Sequence, residues 1–175
     1  DLGCSLGESI RAVEGALNGR DCRLVGVDNS PAMISKAQEI DSDITWHLAD
    51  VTTLPLERSS VVIMNFTLQF IPIEQRLSLL TKIRKAMVPG GLLILSEKLT
   101  LPALDMDALM IDLHHDFKRS QRYTDLEIAQ KRDAIENVLI PETAETHTKR
   151  LQEAGFSRAS IWFQCLNFAS FIAIA

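Results

Sequence analysis

The chain has 175 residues, 46% of them hydrophobic and 23% charged, a balance that excludes disordered, collagenous and coiled-coil chains. No apolar run approaches the roughly 20 residues of a membrane span, and the nearest, 163–175, carries Gln164, Asn167 and Ser170. A net charge of -5 argues against the basic footprint of a nucleic-acid binder, while leaving room for a small anion held by one or two arginines.

The chain opens on Asp1-Leu2-Gly3-Cys4-Ser5, which reads as the end of a strand running into a glycine turn, so an N-terminally truncated sequence is expected. A helix over 8–17 follows, then a short buried strand over 24–27. Pro31, just after Asn29-Ser30, predicts a helix over 31–40. Strands over 44–48 and 61–64 come next. Leu77, Leu80, Ile83 and Met87 recur at helical spacing and predict a helix over 73–87. The Pro89-Gly90-Gly91 turn then leads into a strand over 92–95. Helices over 102–119 and 125–139 have no strand between them. Pro141 breaks the pattern, and a helix over 142–154 is stopped by Gly155. Two β-rich runs, 160–166 and 168–174, joined at Asn167, predict an antiparallel hairpin. Strands alternating with helices predict an α/β fold with a mostly parallel sheet. One domain over 1–175 is expected, with a helical insertion at about 102–140.

Four positions combine residue types suited to a ligand. The run Asp1-Leu2-Gly3-Cys4-Ser5-Leu6-Gly7 before a helix lets backbone approach a ligand, and the helix start offers N–H groups. Ser5 stands where the dinucleotide pattern G-x-G-x-x-G has a second glycine, and no G-K-[ST] follows. Asp28, at a strand's C-terminal end about 20 residues beyond the glycine loop, can accept from both hydroxyls of a ribose. Asp28 or Ser30 can equally cap the next helix. Asp50, with the N–H of Val51, can read the amino group and ring nitrogen of adenine. Asn65 ends its strand and is either a turn residue or a ligand contact. All four lie at carboxyl ends of parallel strands, where open α/β sheets bind ligands.

This constellation resembles the class I S-adenosylmethionine (SAM) dependent methyltransferases, a Rossmann-like α/β fold with a terminal antiparallel hairpin. Within them the chain is similar to the carboxy-S-adenosyl-L-methionine synthase family. The strings that carry this are Asp1 to Gly7, Asp28-Asn29-Ser30-Pro31-Ala32-Met33, Asn65-Phe66-Thr67-Leu68-Gln69-Phe70, Leu95-Ser96-Glu97-Lys98, His114-His115-Asp116-Phe117-Lys118-Arg119, Gln130-Lys131-Arg132, Glu145-Thr146-His147 and Trp162-Phe163-Gln164-Cys165. The resemblance implies an enzyme that turns SAM and prephenate into carboxy-SAM and phenylpyruvate, for tRNA wobble-uridine modification. The implied route is loss of carbon dioxide from prephenate, deprotonation of the sulfonium methyl and capture of the carbon dioxide. It also implies that Gly3, Cys4 and Ser5 line the SAM site, Asp28 and Asn29 take the ribose, Asp50 and Val51 the adenine, and Asn65 lies against the cofactor. A further tyrosine of the family site falls upstream of Asp1. Arg132 would hold the new carboxylate, as a planar fork suits a carboxylate; read by itself it is a solvated arginine one turn from Glu136. The catalytic base is left open. A homodimer is implied, without membrane or direct nucleic-acid contact. A small-molecule methyltransferase and a non-catalytic SAM-binding domain remain as alternatives.

Cys4, Cys22 and Cys165 are odd in number and widely spaced, with no C-x-x-C, which predicts a reducing cytoplasm and no disulfide framework or zinc site. Adjacent His114 and His115 point about 100° apart on a helix, so no metal site is expected there. Lys118, Arg119 and Arg122 read as a solvated face. Trp162 and Phe163 are expected to pack on the hairpin as core or interface.

Overall fold

The computed structural model describes residues 1–40, 43–136 and 138–175, with 131–136 described by backbone alone. Chain order is α1 (Glu8–Leu17), β1 (Val25–Asp28), α2 (Pro31–Gln38), β2 (Thr45–Leu48), β3 (Ser59–Asn65), a 3-10 turn (Leu68–Phe70), α3 (Ile73–Ala86), β4 (Met87–Lys98), α4 (Leu104–Ser120), α5 (Asp125–Glu136), α6 (Ala144–Glu153), β5 (Arg158–Cys165) and β6 (Phe168–Ile174).

β1 pairs with β2 in parallel, and β3 with β4 likewise. β6 runs antiparallel to both its neighbours, β4 and β5. The opening segment joins the two groups of strands. Leu2 bridges Val27 in parallel, and its N–H donates to the Ile63 carbonyl at 2.8 Å. The order across the molecule is therefore β2, β1, the opening segment, β3, β4, β6, β5. The expected α/β fold with a mainly parallel sheet and a terminal hairpin is the observed one. Val27, Met64, Leu93, Leu95, Phe171 and Leu80 form the centre of the core. Among the described residues no helix is long and apolar enough to cross a membrane.

Several expectations need correction. The Pro89-Gly90-Gly91 turn lies inside β4, as a register shift that opposes Val61 to Leu92 after Ser59 has paired with Met87. Met87 is thus extended and belongs to the strand, not to the helix. Leu77 is partly exposed; the buried face of α3 is Arg76, Leu79, Leu80 and Ile83. Of the two placements expected for Trp162 and Phe163, core is overturned, for they are 60% and 59% exposed, with Trp162 Nε1 donating to Ser170 Oγ at 2.9 Å. The expected helix over 125–139 ends at Glu136. It starts on a reciprocal cap: Thr124 N–H donates to Glu127 Oε2 at 2.8 Å, and Glu127 N–H to Thr124 Oγ1 at 3.2 Å.

A buried ionic cluster lies beneath the loops. The Arg76 guanidinium is fully buried and donates to the carbonyls of Ile71 (2.8 Å), Gln69 (3.1 Å) and Ile140 (3.0 Å), and to Glu142. Glu142 also accepts from both terminal nitrogens of Arg150, at 2.7 and 2.6 Å. The two guanidinium groups hold its carboxyl below the usual range against the opposing effect of burial.

His147 packs against Phe171 beside this cluster, 1% exposed, with neither ring nitrogen hydrogen-bonded. Burial pushes its pKa down from 6.5 to about 4; Glu142 opposes the shift, and Arg150 and Arg76 add to it. The folded state therefore needs the neutral ring. The contribution is fully present above pH 6.5 and is lost as pH falls from 6.5 toward 4. Urea midpoints measured from pH 7 to 4 should show wild type losing up to about 3 kcal/mol more than His147→Leu over that window. Equal pH slopes for the two proteins would refute the assignment.

Candidate active site

The carboxyl ends of β1, β2 and β3 meet the loop at residues 3–7, and the sequence-predicted residues gather there. Gly3 and Cys4 both donate their N–H to the Val27 carbonyl, at 2.8 and 2.9 Å, which turns the chain away from the sheet. Gly3 has φ +75°, and a Cβ there would lie 2.1 Å from Thr67 Oγ1. The Thr67 side chain thus occupies the space that Gly3 leaves, and residues 65–67 lie directly against the glycine loop. Ser5 has φ +48°, so the position where a glycine was missing from the sequence pattern still adopts a glycine-like backbone. Gly7 then caps α1 in the same left-handed region.

Asp28 holds this loop. Its Oδ2 accepts the Ser5 N–H at 2.9 Å, and its Oδ1 accepts the Ser30 N–H at 2.9 Å. The cap of α2 is Ser30, whose hydroxyl accepts the Met33 N–H at 3.4 Å. Each Asp28 oxygen keeps a second lone pair for a ligand hydroxyl. Asn29 is exposed beside it.

β2 delivers Asp50 next to this group, because the Ala49 N–H donates to the Asp28 carbonyl at 2.9 Å. Asp50 Oδ1 accepts from the N–H and hydroxyl of Thr52, both at 2.7 Å, and the hydroxyl bond is the main cause of its lowered pKa. Val51 is buried beneath it. The turn is tied down by a residue that sequence reasoning missed. Lys82 of α3 donates to the carbonyls of Val51, Thr52 and Leu54, at 2.7, 2.8 and 3.0 Å.

Asn65, at the end of β3, donates from Nδ2 to Ser9 Oγ at 2.9 Å, while its Oδ1 is buried with no partner. Behind it, the fully buried Glu97 accepts the N–H groups of Leu68 and Gln69, both at 2.9 Å, and so fixes the 3-10 turn. Burial pushes its pKa up to about 8, against those two bonds and the nearby Arg76. Sequence reasoning gave neither Glu97 nor Arg76 a role. The available signal was Arg76 at i, with Leu79, Leu80 and Ile83 at i+3, i+4 and i+7, a charge on the buried stripe.

The structure thus brings together Gly3, Cys4, Ser5, Asp28, Asn29, Asp50, Val51 and Asn65. Arg132 lies on α5, and its side chain is outside the described residues. His114 faces Phe168 at 4.8 Å between ring centroids. Arg119 is engaged by Asp116 and Asp125, at 2.7 and 2.8 Å. A cleft of about 550 Å³ between Leu2, Val13, Leu17, Leu56 and Ala86 includes none of residues 3–7, nor Asp28, Asp50 or Asn65.

This strand order, with a glycine loop after the central segment and carboxylates after the next two strands, defines the class I methyltransferase fold. A family described as a methyltransferase domain matches residues 1–91. Two solved structures share the fold. A SAM-dependent methyltransferase from Mesorhizobium loti superposes with a TM-score of 0.69 at 16% identity, over 100% of this chain and 89% of that one. Human N-acetylserotonin methyltransferase, solved with SAM, gives a TM-score of 0.69 at 17% identity, over 99% and 46%. Identity is far higher to the carboxy-S-adenosyl-L-methionine synthase of Trichlorobacter lovleyi, 52% over 181 residues, covering 99% of this chain and 74% of that protein. The chain belongs to the carboxy-S-adenosyl-L-methionine synthase family, and is a transferase of the SAM-dependent methyltransferase superfamily.

The close approach at Gly3 gives a direct test. Gly3→Ala should destabilise the protein by more than about 2 kcal/mol, since it combines an unfavourable φ with a clash. Adding Thr67→Ala should recover part of the loss, because it removes the two nearest atoms. Additive losses in chemical denaturation would show that the two residues do not touch.

Proposed function

We propose that the protein is a carboxy-SAM synthase, converting SAM and prephenate to carboxy-SAM and phenylpyruvate within tRNA wobble-uridine modification. The single observation that carries this reading is the 52% identity over 99% of the chain to a protein of that name. The atoms balance without a further reactant. Prephenate gives up its ring carboxyl as carbon dioxide, the carbon dioxide joins the methyl carbon of SAM, which stays on sulfur, and the ring hydroxyl leaves as water with one methyl proton. We take the chain to act as one SAM-binding unit, with the helices at about 102–140 as an insertion, and as a cytoplasmic homodimer that does not itself contact nucleic acid.

The residues present fit the cofactor. The buried Asn65 Oδ1, beside the glycine loop, has no partner and lacks a donor that a ligand could supply. Asp28 and Asn29 receive the ribose hydroxyls. Asp50, held ionised by Thr52, accepts from the adenine amino group, beside the Val51 N–H. SAM supplies an electrophilic methyl whose protons are acidified by the adjacent sulfonium. A thiolate beside such a methyl would be alkylated. Cys4 avoids this, because burial raises its pKa to about 11 and keeps it a thiol. Arg132 is assigned to the carboxylate that distinguishes product from SAM.

Mass spectrometry of small molecules that co-purify with the protein tests the reaction, since carboxy-SAM exceeds SAM by the mass of carbon dioxide. Two variants test the assignments. Asp28→Ala should weaken SAM and carboxy-SAM equally in calorimetry, by about 1.5–3 kcal/mol. Unchanged affinities would remove Asp28 from the site. Arg132→Ala should weaken carboxy-SAM by about one to two decades and SAM far less. Arg132→Lys should recover only part, since an ammonium keeps the charge but not the fork. Equal small changes for both ligands would sink that role for Arg132.

A further inference from the structure

Phe66 follows Asn65 directly and has φ +55°, the left-handed region. A bulky side chain adopts that conformation only where its surroundings force it, and such outliers gather at ligand sites. Here the backbone is held on both sides. The Phe66 N–H donates to the Ser96 carbonyl at 2.7 Å, and its own carbonyl accepts from Gln69 Nε2 at 3.3 Å. Yet 44% of the residue stays exposed. Packing alone gives no reason to force a phenylalanine there and then leave nearly half of it open.

The ring has a built support. Phe66 meets Phe168 edge to face, with centroids 5.9 Å apart at 79°. His114 meets the same Phe168 ring from α4, 4.8 Å away at 70°. Phe168 is the first residue of β6, opposite Lys98 at the carboxyl end of β4. The cluster therefore lies across the carboxyl ends of β3 and β4. The strand order then sets what can reach it. Adenine is assigned to β2, ribose to β1, and Asn65 at the end of β3 to the cofactor's reactive end. The next position along the same edge, in the order β3, β4, β6, is this aromatic cluster.

We propose that Phe66, backed by Phe168 and His114, is the platform for the six-membered ring of the carboxyl donor. This rests on the carboxy-SAM synthase reading and names the part of the site that holds the donor. Prephenate's ring is a cyclohexadiene that becomes aromatic as its carboxyl and hydroxyl leave. Edge-to-face and offset contacts favour an aromatic ring over a diene of the same size. The contact therefore strengthens as the ring loses its carboxyl, and only an interaction that strengthens on the way to the transition state accelerates the step.

The test uses the full chain loaded with SAM. Phe66→Leu keeps an apolar side chain but removes the ring. It should raise the KM for prephenate and the inhibition constant of phenylpyruvate about 3- to 10-fold. The affinity for SAM should stay within about twofold, since no SAM group is assigned to this face. Wild type should prefer phenylpyruvate to cyclohexylpyruvate, which has the same keto acid on a saturated ring, and Phe66→Leu should lose that preference. Phe168→Leu, which keeps Phe66 but removes its support, should move the same readouts in the same direction and covers the case in which Phe66→Leu fails to fold. A folded Phe66→Leu with unchanged KM, inhibition constant and ring preference would overturn the platform. If wild type makes no carboxy-SAM, the reaction reading fails, and phenylpyruvate titrated onto the SAM-loaded protein still decides the platform. Ring-selective binding lost in Phe66→Leu supports it, and no binding overturns it.

Discussion

A guanidinium with no access to water must find its acceptors inside the protein, and Arg76 finds them on two separate stretches of chain, 69–71 and 140–142. Its bonds to Ile71, Gln69, Ile140 and Glu142 tie the start of α3, the turn after β3 and the segment after α5 to one point. The Ile140 N–H adds a bond to the Gln69 carbonyl at 3.0 Å. Such a cluster does not add stability cheaply, because the desolvation of two arginines and a glutamate offsets most of the Coulomb gain. What it fixes is geometry. Removing Glu142 leaves two buried guanidinium groups without their carboxylate, at a cost of about 3–5 kcal/mol. The turn that carries Asn65 and Phe66 and the chain leaving α5 are therefore held in one register.

The same device recurs around the site on a smaller scale. Each loop that carries a residue assigned to the ligand is pinned by an ionisable side chain bonded to backbone. Asp28 accepts from Ser5, Lys82 donates to the turn at 51–54, and Glu97 accepts from Leu68 and Gln69. Where the pinning group is ionised, as at Lys82, such bonds are roughly twice as strong as neutral ones; Glu97, its pKa raised by burial to about 8, pins its turn largely as a neutral acid. Groups that must meet a ligand are thus held in place before it arrives, so little ordering is left to oppose binding. Asp28 shares its carboxylate between this task and the ribose assigned to it, which its four lone pairs allow.

The path from sequence to these features was uneven, for physical reasons. Strands and helices with local signals were legible: Pro31 after Ser30 starts α2, Gly155 stops the chain after α6, and the runs around Asn167 form the hairpin. The glycine loop and the acids after β1 and β2 were legible because they sit at strand ends. The Pro89-Gly90-Gly91 turn misled, since a glycine pair also suits a register shift inside a strand. Lys82 and Glu97 were missed because their partners are backbone carbonyls and N–H groups 28 to 31 residues away, and Arg76 because it also reaches Ile140, 64 residues away. No residue type announces such a partner. Residue type alone left Trp162 and Phe163 between core and interface, because a large aromatic side chain signals burial only on average.

The division of the chain bears on how one fold serves a different reaction. The match to the methyltransferase domain ends at residue 91. Within it lie the glycine loop, Asp28, Asp50 and Asn65, the residues assigned to a cofactor that a methyltransferase and a carboxy-SAM synthase would hold alike. Arg132, His114 and Phe168, assigned to what only the second enzyme needs, all lie beyond it. A methyl transfer requires an acceptor and no cation at the methyl, whereas carboxylation requires a place for a departing acid, a ring and a new anion. In the proposed reading these demands fall on α4, α5 and the start of β6, where His114 of α4 meets Phe168. Activity on such a fold is set by the groups grafted over the sheet, not by the sheet itself. Phe66 links the two assignments, since its backbone follows Asn65 and its ring rests on Phe168.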